Sequence, residues 1–123
     1  MTPRLLSTSS IVGTDVKNSQ GESLGDIKDL MINTNDGSIS YCVLSFGGFL
    51  GIGDKYFAVP FEAFTIDSNN ENFVLNVTKE KLESAPGFDK DNWPSTASDS
   101  AYLDSAFRHY GYEPTWRGRT VAS

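Results

Sequence analysis

A single cysteine and a single histidine are all that 123 residues offer for thiol, imidazole or soft-metal chemistry. A lone Cys42 excludes an intramolecular disulfide and points to a reducing compartment. With only His109 to join it, no zinc site of the usual composition can be assembled within one chain. Basic residues are scarce as well: ten Lys and Arg stand against sixteen Asp and Glu, a net charge of −6. Phosphate backbones repel a chain of that sign, which sets general nucleic-acid binding aside. The one local basic excess, Arg117 and Arg119, falls in residues 117–123, which read as a frayed tail. No apolar run nears the ~20 residues that span a bilayer, and residues 1–10 contain no secretory hydrophobic region. The expectation is a soluble, cytoplasmic protein without a transmembrane segment.

What is abundant is aromatic. Eight Phe, five Tyr and two Trp supply a core that needs neither staple nor metal, in one domain's length of chain. Residues 1–8 lack periodicity and read as a flexible lead-in. Residues 11–16 read as a short strand interrupted at Gly13, and Asn18-Ser-Gln-Gly21 as a turn. In residues 24–32 the apolar positions Leu24, Ile27, Leu30 and Met31 fit a helical stripe better than strict alternation. Gly21 and Gly25 at the head and the short span oppose a helix. A strand bulged near Gly25 is the reading adopted, followed by a hairpin turn at Asn35-Asp-Gly37, where Asp and Gly tolerate positive φ.

Residues 39–46 are the clearest strand, with Ile39, Tyr41 and Val43 on one face and Cys42, Leu44 and Phe46 on the other. A strand apolar on both faces is either central in a barrel with something packed outside it, or meets a partner. A glycine-rich loop carrying Phe49, Leu50 and Ile52 leads to a strand from Tyr56, with Pro60 suiting an edge position. The sheet continues through residues 63–66, a turn over residues 67–70, and an alternation of Phe73, Leu75 and Val77. Thr78 is an N-cap for a helix over residues 79–84. A second helix starts at Ser98 or Asp99, with Leu103, Ala106, Phe107 and Tyr110 in one stripe and Gly111 at its C-terminal stop. Strands first and helices only at the end predict a mainly β fold, a small barrel with a helical appendage.

The run Gly21-Glu-Ser-Leu-Gly25-Asp-Ile27, then Asp29-Leu-Met-Ile, Gly37-Ser-Ile-Ser-Tyr41, Gly-Gly-Phe-Leu-Gly51 and Phe57-Ala-Val-Pro60, in that order and spacing, resembles the PRC-barrel domain. That domain is named for the photosynthetic reaction-centre H subunit and also occurs in a ribosome maturation factor. The resemblance covers roughly residues 9–82, and the tail looks like the extension of stand-alone bacterial members. It implies a six-stranded barrel that adheres to other proteins, with no catalytic residues to carry over. The chain lacks both the reaction-centre subunit's membrane helix and the ribosome factor's preceding second barrel, so neither relative's role transfers. The expected organisation is a barrel over residues 9–84, an aromatic extension with one helix over residues 85–116, and a tail over residues 117–123.

Catalytic motifs fare poorly. Gly48-Phe-Leu-Gly51-Ile-Gly53 reverses the dinucleotide-loop glycine order and no helix follows it. His109 reads as a helix-terminal cation and Cys42 as a small apolar residue. Asp67-Ser-Asn-Asn-Glu71 and Asp89-Lys-Asp91 lack the glycine and the closing glutamate of a calcium loop. No cofactor is implied. The expectation is a non-enzymatic interaction module, a self-associating homodimer with a further protein partner unidentified. Its contact residues are Phe46, Phe49, Leu50, Ile52, Tyr56, Trp93, Phe107, Tyr110 and Trp116. The loop residues Phe49, Leu50 and Ile52 fit core-capping and partner contact equally. The alternative is a ribosome- or RNA-associated accessory factor, and a third reading is a small-ligand enzyme.

Overall fold

The computed structural model describes residues 6–46, 55–67, 72–88, 94 and 100–117. The elements run α1 (Thr8–Ile11), β1 (Asp15–Lys17), β2 (Ser23–Ile32), β3 (Ile39–Phe46), β4 (Lys55–Val59), β5 (Phe64–Asp67), β6 (Asn72–Leu75), α2 (Lys79–Glu83), β7 (Gly87–Phe88) and α3 (Ser100–His109). Single 3-10 turns lie at Phe61–Ala63 and Thr115–Arg117.

Bulges explain why β2 imitates a helix. Val16 faces Gly25 and Lys17 faces Ser23 across the β1–β2 ladder, so Leu24 is an extra residue. Ile27 faces Leu44 and Asp29 faces Val43 across β2–β3, so Lys28 is a second. Each insertion shifts the pleat by one position. Leu24, Ile27 and Leu30, three apart, therefore all point inward and are buried. The bulge expected near Gly25 is present. Gly25 has φ +115, and any Cβ there would overlap the Ser45 carbonyl oxygen, so a side chain is excluded on two counts.

The hairpin expected at Asn35-Asp-Gly37 joins β2 to β3, with the Asn33 amide donating to the Ser38 carbonyl (2.8 Å) and the Gly37 amide to the Asn33 carbonyl (2.7 Å). A third irregularity places Ile32 opposite Ile39 and Met31 opposite Tyr41, leaving Ser40 unpaired. Ile39 is thereby turned from the face of Tyr41, where alternation puts it, to the inner cluster.

Among the described residues, seven strands form one sheet in the order β5-β6-β1-β2-β3-β4-β7, antiparallel except where β1 lies parallel to β6. The seventh strand exceeds the expected six. It comes from the C-terminal extension, where Phe88 pairs with Tyr56 and Gly87 with Phe57. The sheet curls so that Phe73 and Leu75 of β6 meet Cys42, Leu44, Phe57 and Val59 in one inner cluster. Phe61, Phe64 and Phe73 stack at its rim with centroids 5.9–6.4 Å apart. Each such pair adds about 0.5–1.5 kcal/mol beyond simple burial.

Three expectations are corrected. Residues 8–11 form a helical turn capped by Ser7, and its Ile11 closes the inner cluster instead of starting a strand. Pro60 does not mark an edge: β4 lies between β3 and β7, and Pro60, buried, opens the 3-10 turn just past the strand. Tyr110 leaves the helical stripe. The helix ends at His109, where Tyr112 N–H donates to the Phe107 carbonyl and Gly111 N–H to that of Arg108. That paired closure turns the chain, and Tyr110 packs on the inner cluster while Leu103, Ala106 and Phe107 pack on the outer one.

Candidate functional site

The two-faced apolar strand meets its cover within the same chain. The outer faces of β3 and β4 present Tyr41, Val43, Tyr56 and Ala58, and α3 lays Leu103, Ala106 and Phe107 across them. Polar pins hold this cover in place. Tyr41 donates its hydroxyl to the Pro94 carbonyl (2.8 Å) and Tyr102 to that of Pro86 (2.9 Å). Ser40, re-aimed by its bulge, donates to the Trp116 carbonyl (2.7 Å), and the Trp116 indole donates to Asp104 Oδ1 (2.7 Å).

The expected contact residues divide accordingly. Phe107 is fully buried and Tyr56 nearly so, its ring edge-on to Phe88 at 5.9 Å; both spend their surface within the chain. Phe46, Tyr110 and Trp116 are half-buried. Phe49, Leu50, Ile52 and Trp93 lie outside the described residues. Phe107 and Tyr56 thus belong to the fold's interior and not to an exposed patch, because α3 was free to dock on the nearest apolar sheet.

Cys42, His109, Tyr102 and Tyr110 sit in packed or hydrogen-bonded settings. Burial, aided by nearby Asp29, drives the Cys42 thiol far above its ordinary range, leaving an inert neutral side chain. His109 Nε2 lies 2.8 Å from the Lys81 carbonyl, which can only accept, so that nitrogen carries its proton and ties α3 to α2. Burial likewise raises the Tyr102 phenol, and that of Tyr110. Tyr110 keeps its hydroxyl buried with no hydrogen-bond partner among the described residues. Among those residues no group of His, Cys, Asp and Glu could hold a metal, and no helix is long and apolar enough to cross a membrane.

Among the described residues lies a concave feature that was not anticipated. A groove of about 590 Å³ opens between the β2–β3 hairpin, the 3-10 turn after Pro60, and the C-terminal turn. Ile39, Phe61 and Phe64 form its apolar floor, while Asp36, Glu62 and Thr115 stand along its rim. Thr115 donates to Glu62 Oε1 (2.9 Å), tying two walls together, and Asp36 Oδ1 accepts from both the amide and the hydroxyl of Ser38. The sequence signal was slight: two phenylalanines three apart just after a proline. Their convergence with Ile39 required both the Ser40 bulge and the curl of the sheet.

A family model described as PRC-barrel domain matches residues 3–82. No curated protein matches the chain. Among solved structures, a protein described as a 16S ribosomal RNA processing protein, RimM, from Pseudomonas aeruginosa is similar at 15% identity, with a TM-score of 0.41. That alignment covers 61% of this chain and 45% of the RimM chain, so the chain spans under half of that relative's length. With the order of its strands, the hairpin at Asn35-Asp-Gly37 and a family match running from residue 3 to residue 82, the chain belongs to the PRC-barrel domain family.

Proposed function

We propose that the chain is a non-enzymatic protein-interaction module. The observation that carries this reading is the groove beside the β2–β3 hairpin, with its floor of Ile39, Phe61 and Phe64, its polar rim, and Phe64 of the edge strand β5 in its lining. An apolar floor bordered by a few polar groups is the composition of a docking site for another polypeptide. The residues with chemical potential elsewhere support the reading, since His109 and Cys42 are committed to packing. A second copy of the chain is the first partner in this proposal, through the loop that carries Phe49, Leu50 and Ile52 and the half-buried rings of Phe46 and Trp116. A cytoplasmic setting suits the lone buried thiol.

Light scattering over a concentration series tests self-association. A dimer that dissociates in the Phe49→Asp, Leu50→Asp double variant is the expected result, and a strict monomer at every concentration removes the homodimer. Affinity capture with the same pair of proteins tests the module more broadly. The ribosome- or RNA-associated alternative has family membership on its side and the net charge of −6 against it.

A further inference from the structure

Resting on that reading, the place of the groove along the chain bears on what fills it first. Thr115 lines the groove and donates to Glu62 Oε1 (2.9 Å), and the 3-10 turn that carries it ends at Arg117. That turn is pinned: the Ser40 hydroxyl donates to the Trp116 carbonyl (2.7 Å), and the Trp116 indole donates to Asp104 (2.7 Å). Residues 118–123, Gly-Arg-Thr-Val-Ala-Ser, lie outside the described residues and leave from the end of this turn, two residues past the groove wall. Extended, six residues reach roughly 20 Å. A groove of about 590 Å³ is of a size that encloses a small ligand, which suits a short segment. The composition of the segment fits as well. It holds one cation, Arg119, and no acidic residue, in a chain whose net charge is −6. Its branched apolar residue, Val121, matches a lining that includes Ile39, Phe61 and Phe64.

We propose that residues 118–123 occupy the groove of their own chain, so that an outside polypeptide must displace them. Val121 rests on the apolar floor, and Arg119 lies toward the Glu62 carboxylate. The tether makes such a contact inexpensive, because a short link holds the segment at an effective concentration on the order of millimolar. The apparent affinity for an outside ligand is then reduced by the fraction of chains whose groove is open.

Amide spectra of the full chain beside its Val121→Asp and Arg119→Gln variants are the test, since both substitutions leave residues 6–117 unaltered. Val121→Asp is expected to move the resonances of Ser38, Ile39, Glu62 and Phe64, equally at every protein concentration. Arg119→Gln should move the same resonances by less, with a difference that fades in high salt. Peptides selected from a random display library against the Val121→Asp chain should bind it about fivefold or more tighter than the unaltered chain. Groove resonances that ignore both substitutions overturn the tail as occupant. If the selected peptides still map to the groove in that case, the interaction module stands. Silence in both measurements removes the tail and the groove's docking role together. Differences that disappear on dilution assign the groove to the tail of a second copy, and occupancy within one chain falls.

Discussion

Gly25 shows how much a single residue can decide. Its φ of +115 suits glycine alone, and a Cβ would run into the backbone of Ser45 and Phe46 on the neighbouring strand. Gly25→Ala should therefore cost roughly 2–4 kcal/mol, read as a lower midpoint in urea unfolding. Tyr110 makes the opposite case. Its buried hydroxyl finds no partner among the described residues, and such a group costs about 1–3 kcal/mol. Tyr110→Phe should leave stability unchanged or raise it by up to about 1 kcal/mol. The same phenol sets a pH limit. Burial raises the folded-state pKa of Tyr110 and Tyr102, so the neutral forms stabilise the fold fully below the unfolded value of about 10. That contribution is lost as pH rises beyond about 10, because the unfolded chain ionises first. Circular dichroism against pH should show alkaline unfolding there, and Tyr110→Phe should move its midpoint upward.

At the scale of the element, α3 is the piece whose removal says most. Leu103, Ala106 and Phe107 are buried against Tyr41, Val43 and Ala58, and Trp116 closes over the same face. Phe107→Ala should destabilise the chain by about 3–5 kcal/mol, because the sheet beneath cannot collapse into the space. Ending the chain before Ser100 uncovers the outer apolar face, and the shortened chain should bind the dye ANS or aggregate. A shortened chain that stays monomeric and dye-silent would mean that α3 is dispensable to the barrel. The C-terminal turn belongs to this element as well, for Thr115 walls the groove while Trp116 is pinned to Asp104 and Ser40. Packing of α3 and the shape of the groove are thus coupled.

For the whole molecule the deciding quantity is charge. Sixteen acidic residues against ten basic ones give a net charge of −6, a sign that opposes a phosphate backbone. A gel-shift titration with ribosomal RNA at about 0.15 M salt should show no complex. A salt-sensitive complex at that ionic strength would favour the ribosome-associated alternative over the protein-only module.

Local rules written along the chain sufficed for much of the fold. Alternation marked β3 and β6, Asp-Gly marked the hairpin, Thr78 capped α2, and Gly111 marked the close of α3, two residues past its last helical residue, His109. Family membership, too, was legible in glycines and apolar residues at fixed spacing. Contacts between residues far apart in the chain had no such local signature. The parallel pairing of β1 with β6, the seventh strand from the extension, and the turning of Ile39 inward by Ser40 all depend on register. Register is set only when the sheet closes on its core, since a slip of one residue reverses every side chain. The groove follows from that closure. Asp36, Phe61 and Thr115 are scattered along the sequence, and closure of the sheet together with docking of the C-terminal turn made them neighbours.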